Sequence, residues 1–514
     1  MKRIKLSIII FIFTFFLCYG ERIKNVILMI PDGMSSDAVT LSRWVKGSSL
    51  AMDEIICGLI KTYWAGGLIT DSAPAASAMA TGIKTWEKYI SVSPPRYLIP
   101  NFSDLSIDKE KPFPTVLEMA YLSGLSTGIV VTCELPHATP AAFCSHALNR
   151  NDYDSILEQM IENNITVAFG GGFEFLKPYK RKDKRNLYNT LQSKGIIIVT
   201  NLEQFRVLNK IPCFGFFSSY AMNRDFDRDP LKEPSLEEMT EKAIELLSKN
   251  TNGFFLMVEG SQIDWASHEN DPLGIVTEIL AFDRAVKVSL DFAKKNNNTI
   301  VIVAPDHGNS GLTIGNRDLS SYSSEPFERF INPFLSAKFS TEKVSREISS
   351  NRSNIKEVLK NFWGLTNLTE KENLFLQETK NLKEGLSVLF SKRAGLGFTS
   401  NGHTGEDVLL GIYDPRNKRL EGVVENTDIF YFICEALGIN YSFYRNLLFQ
   451  DVRDIFKDAE ISEISSTNNT VLKVKTKKET FYFYPNQSIA KKENREFRLL
   501  TPTVKIKDRW FISQ

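Results

Sequence analysis

Asn25-Val26-Ile27-Leu28-Met29-Ile30-Pro31-Asp32 is an apolar run closed by a proline and then a carboxylate. The same signature recurs where Gly67 to Thr70 precedes Asp71, where Gly253 to Val258 precedes Glu259, and where Thr299 to Pro305 precedes Asp306. Each run reads as a buried strand that ends on an acid. In an open α/β sheet, ligands bind outside the carboxyl ends of the strands. Any one of these acids, taken alone, reads as a strand-end turn or a helix N-cap. Four together predict one acidic crevice.

Residues 22 to about 310 alternate apolar strand-like runs with amphipathic helical ones, as a doubly wound α/β sheet requires. Leu117 to Leu122 predicts a helix stopped by Gly124, and Thr127 to Thr132 the next strand. Ser235 to Leu247 predicts a helix opened by a Ser235/Glu238 capping box, feeding the strand before Glu259. From about 315 to 398 Ser, Asn, Lys and Glu become frequent, with helical stretches such as Asn354 to Phe362. This segment separates His307 from His403 and reads as an insertion on one edge of the sheet. Strand and helix resume from Asp407 through Leu437. Beyond about 465, Thr470 to Lys475, Thr480 to Tyr484 and Thr503 to Lys507 predict short strands, so 465–514 reads as a small β-rich C-terminal appendage. Its sequence resembles the stalk-type repeat modules of bacterial exported proteins, which hints at a binding or spacing role.

The chain has 514 residues, 43% of them hydrophobic, enough for a large core. Its 62 basic and 61 acidic residues leave a formal charge of +1, which argues against a broad nucleic-acid surface. Residues 1–20 read as a signal peptide: Lys2, Arg3 and Lys5 precede the apolar stretch Leu6 to Leu17, with Gly20 near a cleavage point. That stretch is short for a bilayer span, so the mature chain is expected to carry no transmembrane helix. Export to the periplasm or the extracellular space follows. Cys18 raises a lipoprotein as the alternative, against which stand the bulky Phe16 and Leu17. Five widely spaced cysteines remain, with no CxxC, and read as buried free thiols rather than a disulfide framework or a thiolate zinc site. Cys133 and Cys144 are the closest pair.

Of five histidines, four (His137, His268, His307 and His403) sit beside carboxylates or a hydroxyl in turn-rich strings. Such placement points to a metal site. Thr70-Asp71-Ser72-Ala73-Pro74-Ala75-Ala76 reads as a strand end followed by a helix from about Ala73, with Ser72 at its positive N-terminus. There Ser72 is either an N-cap or a nucleophile, and as a nucleophile it needs a metal, because no GxSxG elbow and no neighbouring histidine activate it. Asp264 and His268 are four apart, which places both on one helix face. Asp306-His307 share an ion only if the chain bends, as Gly308 allows. His403 lies in the glycine-flanked Gly402-His403-Thr404-Gly405-Glu406.

Together with His137-Ala138-Thr139-Pro140-Ala141-Ala142 and Arg150, these strings resemble the alkaline phosphatase family over roughly residues 24 to 440, in the family's order. The resemblance implies a three-layer α/β/α sandwich with a mostly parallel sheet, a catalytic domain over 21–455, and hydrolysis of phosphate monoesters through a phosphoserine. It implies Ser72 as nucleophile and Arg150 as the fork on two phosphoryl oxygens. It implies two Zn2+ and one Mg2+ per chain: Asp264, His268 and His403 on the first zinc; Asp32, Asp306, His307 and Ser72 on the second; Asp32, Thr139 and Glu259 on the magnesium. Two divalent ions about 4 Å apart stabilise both oxygens of an in-line displacement. His137 and Trp265 replace the aspartate and lysine of one bacterial pattern and resemble another bacterial branch. His137 then binds the third ion directly or stands behind it, and Trp265 reads as packing. His146 reads as a structural residue of the helix before Arg150. A homodimer, and contact of the appendage with the envelope or another partner, are compatible with the resemblance. Three rivals stay open: a sulfatase, which would need arginine where Ala76 stands; a phosphodiesterase, which usually lacks the fork and the third-site set; and a non-catalytic metal-containing envelope binding protein.

Overall fold

The computed structural model describes residues 23–99, 108–319, 321–465 and 470–513; the expected signal peptide and Cys18 lie outside them. Ten strands form the central sheet: β1 (Asn25–Pro31), β2 (Ile56–Lys61), β3 (Ser126–Glu134), β4 (Val167–Gly171), β5 (Ile197–Val199), β6 (Cys213–Phe216), β7 (Phe254–Gly260), β8 (Thr299–Val303), β9 (Val408–Tyr413) and β10 (Gly422–Glu425). Their order is β10-β2-β9-β8-β1-β7-β3-β4-β6-β5, and only β9 runs against the rest, antiparallel to both β2 and β8. All seven residues of β1 are buried. That is the signature of a strand covered on both faces.

Strand alternation divides the core in two. Val26, Leu28 and Ile30 face one side with the helices Ser72–Thr81, Val116–Leu122, Tyr153–Glu162 and Asn426–Leu437. Ile27 and Met29 face the other, with Ser36–Lys46, Leu236–Leu247 and Pro272–Asn296. The result is the expected three-layer α/β/α sandwich with a mostly parallel sheet. Helix starts are set locally: Ser235 Oγ accepts from the Glu238 N–H (3.1 Å) and Glu238 Oε2 accepts from the Ser235 N–H (2.8 Å). Thr115 and Glu118 repeat this box.

The stretch between His307 and His403 is largely helical (Phe327–Ser336, Thr341–Glu347, Ile355–Trp363, Glu370–Glu378 and Leu382–Arg393). It does not decorate a sheet edge. Its Ile331, Val344, Leu359 and Leu389 enter the same core as Ile279 and Val286 of the long helix Pro272–Asn296, because amphipathic helices bury their apolar stripe against another apolar surface. Its ends are clipped as short antiparallel ladders, with Thr313 opposite Gly397 and Asn309 opposite His403.

The C-terminal strands begin earlier than the sequence pattern indicates, at Glu460 in the larger sheet and at Gln450 in the smaller. Five form an antiparallel sheet (Glu460–Ser465, Thr470–Lys475, Thr480–Phe483, Ile489–Lys492 and Arg495–Arg498), and Gln450–Asp451, Val504–Ile506 and Arg509–Ile512 a second. Leu472, Val474, Phe483 and Trp510 give this module its own apolar cluster. It is latched to the large domain: Gln159 Nε2 donates to Asn486 Oδ1 (3.0 Å), Ser488 Oγ donates to Glu162 (2.6 Å), and Lys507 and Arg509 pair with Glu110 and Asp108 (2.6 and 3.0 Å). Among the described residues no helix is long and apolar enough to cross a membrane.

Ser235→Ala removes one half of a capping box on a packed helix. Its expected cost is about 1 kcal/mol, read as a lower urea midpoint at unchanged m-value.

Candidate metal centre and nucleophile

The carboxyl ends of β1, β7 and β8 deliver their acids to one place. Asp32 follows β1 directly, Glu259 stands on β7 opposite Ile30 of β1 and Val131 of β3, and Asp306 lies three residues past β8. The fourth run behaves differently. Gly67–Thr70 is a turn bridged to Trp64, with Leu68 and Ile69 72% and 58% exposed, so the expected strand before Asp71 is absent. A two-glycine start favours a turn, and four residues are too few to establish a strand period. Asp71 nevertheless reaches the site, as the N-cap position of the helix Ser72–Thr81. That helix starts at Ser72, one residue before the expected Ala73, and all ten of its residues are buried. Small side chains let it pack closely against the helices Ala138–Cys144 and Asn426–Leu437, with Ser72 at its N-terminal end.

Asp264 and His268 share a face of the helix Gln262–His268 and approach to 3.4 Å. His403 Nε2 lies 3.5 Å from Asp264 and 3.1 Å from His268 Nε2. His307 Nε2 lies 3.3 Å from Asp306, 3.6 Å from Asp32 and 3.3 Å from Ser72 Oγ. Both Asp306 and His307 come after β8 has ended, which frees them from strand alternation. The ladder that pairs Gly308 with Thr404 brings His403 alongside, stacked on His307 at 3.7 Å. A Cβ on Gly308 would sit 2.0 Å from Glu406 Oε1 and 2.7 Å from Thr404 Oγ1, so a larger residue here would have to push both side chains aside.

Each of the three imidazoles faces a backbone carbonyl through Nδ1: His268 with Asn401 (2.7 Å), His403 with Thr70 (2.8 Å), His307 with Gly308 (3.2 Å). A carbonyl only accepts, so Nδ1 carries the hydrogen and Nε2 turns inward. Two Nε2 atoms 3.1 Å apart repel unless a cation lies between them. Meanwhile both Asp32 oxygens, Glu259 Oε1, Asp306 Oδ2 and Thr139 Oγ1 are buried without a hydrogen-bond partner among the described residues. Orphaned buried oxygens facing convergent imidazoles are what a set of divalent cations satisfies. Three groups have ligand atoms close enough to share an ion: Asp264, His268 and His403; Asp32, Asp306 and His307; and Cys133, His137 and Glu259.

Electrostatics agree. Burial, then Asp306, Asp264 and Glu259, push Asp32 well above the usual carboxylate range. Burial followed by Asp306 likewise raises Glu259. At Asp264 burial opposes ionisation, but the hydrogen bonds to His268 and His403 outweigh it and hold the group well below its ordinary value. The same hydrogen bond lifts His268 to about 9. Burial, then the charge of Arg150, pushes His137 down to about 3.

Arg150 is held from two sides, by Asp71 on NH1 and by His137 Nε2 on NH2 (3.1 Å). Trp265 meets the His137 ring edge-on at 5.7 Å. The helix before Arg150 ends at Cys144, so His146 lies beyond it; its nitrogens meet Ser91 O and Glu118 Oε1, and it belongs to none of the three donor groups found among the described residues. Three neighbours escaped the sequence reading as site residues: Asp71 as the partner of Arg150, Asn309, whose Nδ2 donates to Asp264 (2.7 Å), and Cys133, whose Sγ lies 3.4 Å from Glu259 Oε2. The spacing of Cys133 and His137 was legible; their meeting at Glu259 was not.

The alkaline phosphatase family model matches residues 23–439. Alkaline phosphatase 4 of Bacillus subtilis is 34% identical over 430 residues, covering 79% of this chain and 87% of that protein. The crystal structure of Thermus thermophilus alkaline phosphatase superposes with a TM-score of 0.72 at 26% identity, covering 82% of this chain and 93% of that one. A mutant alkaline phosphatase from the Antarctic bacterium TAB5, described with Mg bound in its M3 site, aligns with a TM-score of 0.60 at 28% identity, over 82% of this chain and 99% of that one. Match, coverage and fold agree with the geometry above, and the chain belongs to the alkaline phosphatase family of metal-dependent hydrolases.

Proposed function

We propose that this protein hydrolyses phosphate monoesters with Ser72 as the nucleophile, releasing inorganic phosphate. The observation that carries the reading is the position of Ser72 Oγ, at a buried helix N-terminus and 3.3 Å from His307 Nε2, beside the unpaired oxygens of Asp32 and Asp306. In the first step Oγ bonds to phosphorus as the bond to the leaving oxygen breaks. In the second, water attacks phosphorus and returns the serine. Arg150 presents a planar, permanently charged fork to two phosphoryl oxygens, and Asp71 fixes its angle. Asp264, His268 and His403 would hold one zinc, and Asp32, Asp306, His307 and Ser72 the other. Asp32, Thr139 and Glu259 would hold a third divalent ion, magnesium by the family resemblance. When bound, the ions supply the positive charge that lowers the proton affinity of the serine and offsets charge developing on the leaving oxygen.

His137 and Trp265, edge to face, give the site the character of the His/Trp bacterial branch. The Arg150 fork supports a monoesterase over a diesterase, and Ala76 in the middle of the buried helix counts against a sulfatase. The joint presence of nucleophile, fork and ligands speaks against a non-catalytic binder. On the sequence of residues 1–20 the protein is exported, with 21–455 as its catalytic domain and 465–514 as an appendage suited to an envelope or other partner. A homodimer is the assembly the resemblance suggests.

Ser72→Ala is expected to lower kcat by on the order of 10³-fold or more and to abolish acid-stable phosphoenzyme while metal content persists; a phosphoserine signal in that variant would overturn the assignment. A chelator is expected to remove phosphate release from a chromogenic monoester, with recovery on adding zinc. Arg150→Ala is expected to weaken inhibition by inorganic phosphate by about 10- to 100-fold, as loss of charge-assisted hydrogen bonds worth about 1.5–3 kcal/mol dictates.

A further inference from the structure

The third group of donors is not the oxygen-only set that magnesium asks for. Cys133 lies on β3, is fully buried and forms no disulfide. Its Sγ stands 3.4 Å from Glu259 Oε2, and the ligand atoms of Cys133, His137 and Glu259 all lie within 4.8 Å of one another. Two further observations mark the spot as a ligand site. Glu259 and Thr139 are each 0% exposed, and Glu259 Oε1 and Thr139 Oγ1 have no hydrogen-bond partner. His137 faces the Arg150 guanidinium, a donor, through Nε2 at 3.1 Å, and its Nδ1 is buried without a partner among the described residues. Sulfur is the softest donor beside Glu259, the acid that is read above as holding the third ion together with Asp32 and Thr139.

We propose that Cys133 is a protein ligand of the third ion, and that this site takes a thiophilic divalent cation of the zinc class in preference to magnesium. Magnesium holds hard oxygens in octahedral geometry and keeps its waters, whereas thiolate ligands select zinc and its relatives. The thiol proton leaves to solvent as the ion enters. The inference rests on the reading above that Asp32, Thr139 and Glu259 hold a third ion. Without an ion, the thiol simply hydrogen-bonds Glu259, and that is the competing role. Cys57, Cys144, Cys213 and Cys434 belong to none of the three donor groups, so a thiolate signal at a bound ion reports Cys133 alone.

The test loads the full-length mature protein with cobalt(II) and records near-ultraviolet absorbance and ions per chain. The expected result is three cobalt ions and a thiolate-to-cobalt charge-transfer band that disappears in Cys133→Ser and Cys133→Ala, with the other two ions retained. In zinc-magnesium competition, Cys133→Ser is expected to reduce the zinc preference of the third ion by about 10-fold or more. Three cobalt ions without that band, or a band that survives in Cys133→Ala, would overturn the proposal alone. Fewer than three ions per chain would overturn the three-ion reading beneath it, and the proposal with it.

Discussion

Everything at the carboxyl end of the sheet answers to one electrostatic demand: buried negative charge must be neutralised. Asp32, Glu259, Asp306 and Asp264 are 0%, 0%, 1% and 4% exposed. Removing such a carboxylate from water costs several kcal/mol unless a counter-charge sits beside it. The protein's own cation there, Arg150, is engaged by Asp71. An ion that binds there displaces the Nε2 protons of His268 and His403, so that the imidazoles, turned inward by backbone carbonyls, offer it lone pairs. Metal ions therefore complete this end of the fold, and metal binding and local stability are the same free energy.

The scaffold meets that demand by rigid means. β1 and β7 run side by side in parallel register, which fixes Asp32 and Glu259 relative to each other before any side chain is chosen. His403, nearly a hundred residues after His307, returns to it through a two-residue ladder, and a second ladder closes the neck of the helical insertion. The insertion can therefore vary in length without moving the imidazole. Such necks make long excursions thermodynamically tolerable, since closure entropy grows only slowly with loop length.

Sequence made the strand ends legible because a buried parallel strand leaves a continuous apolar run, and the acid that follows is unmistakable after Ile30, Val258 and Pro305. The capping box at Ser235 was equally legible, since it is local. Gly67–Thr70 misled because four apolar residues carry no period, yet Asp71 still reached the site through the helix it caps. The pairing of Ser72 with His307 crosses 235 positions, and no local pattern encodes it. Cys133 was invisible as a site residue for the same reason: a buried thiol on a strand looks like packing until its neighbour on the next strand is known. The insertion's seat was equally hidden, because amphipathicity says that a helix must be covered and not what covers it.

Ser72 rides on a helix with no solvent-facing side, every residue of it in contact with core. If Ser72 is the nucleophile proposed above, an attacking group mounted in this way has no hinge beneath it. Motions that accompany a catalytic cycle must then belong to the loops, waters and leaving group around it, and the rate will be tuned by what approaches this alcohol rather than by how the alcohol moves.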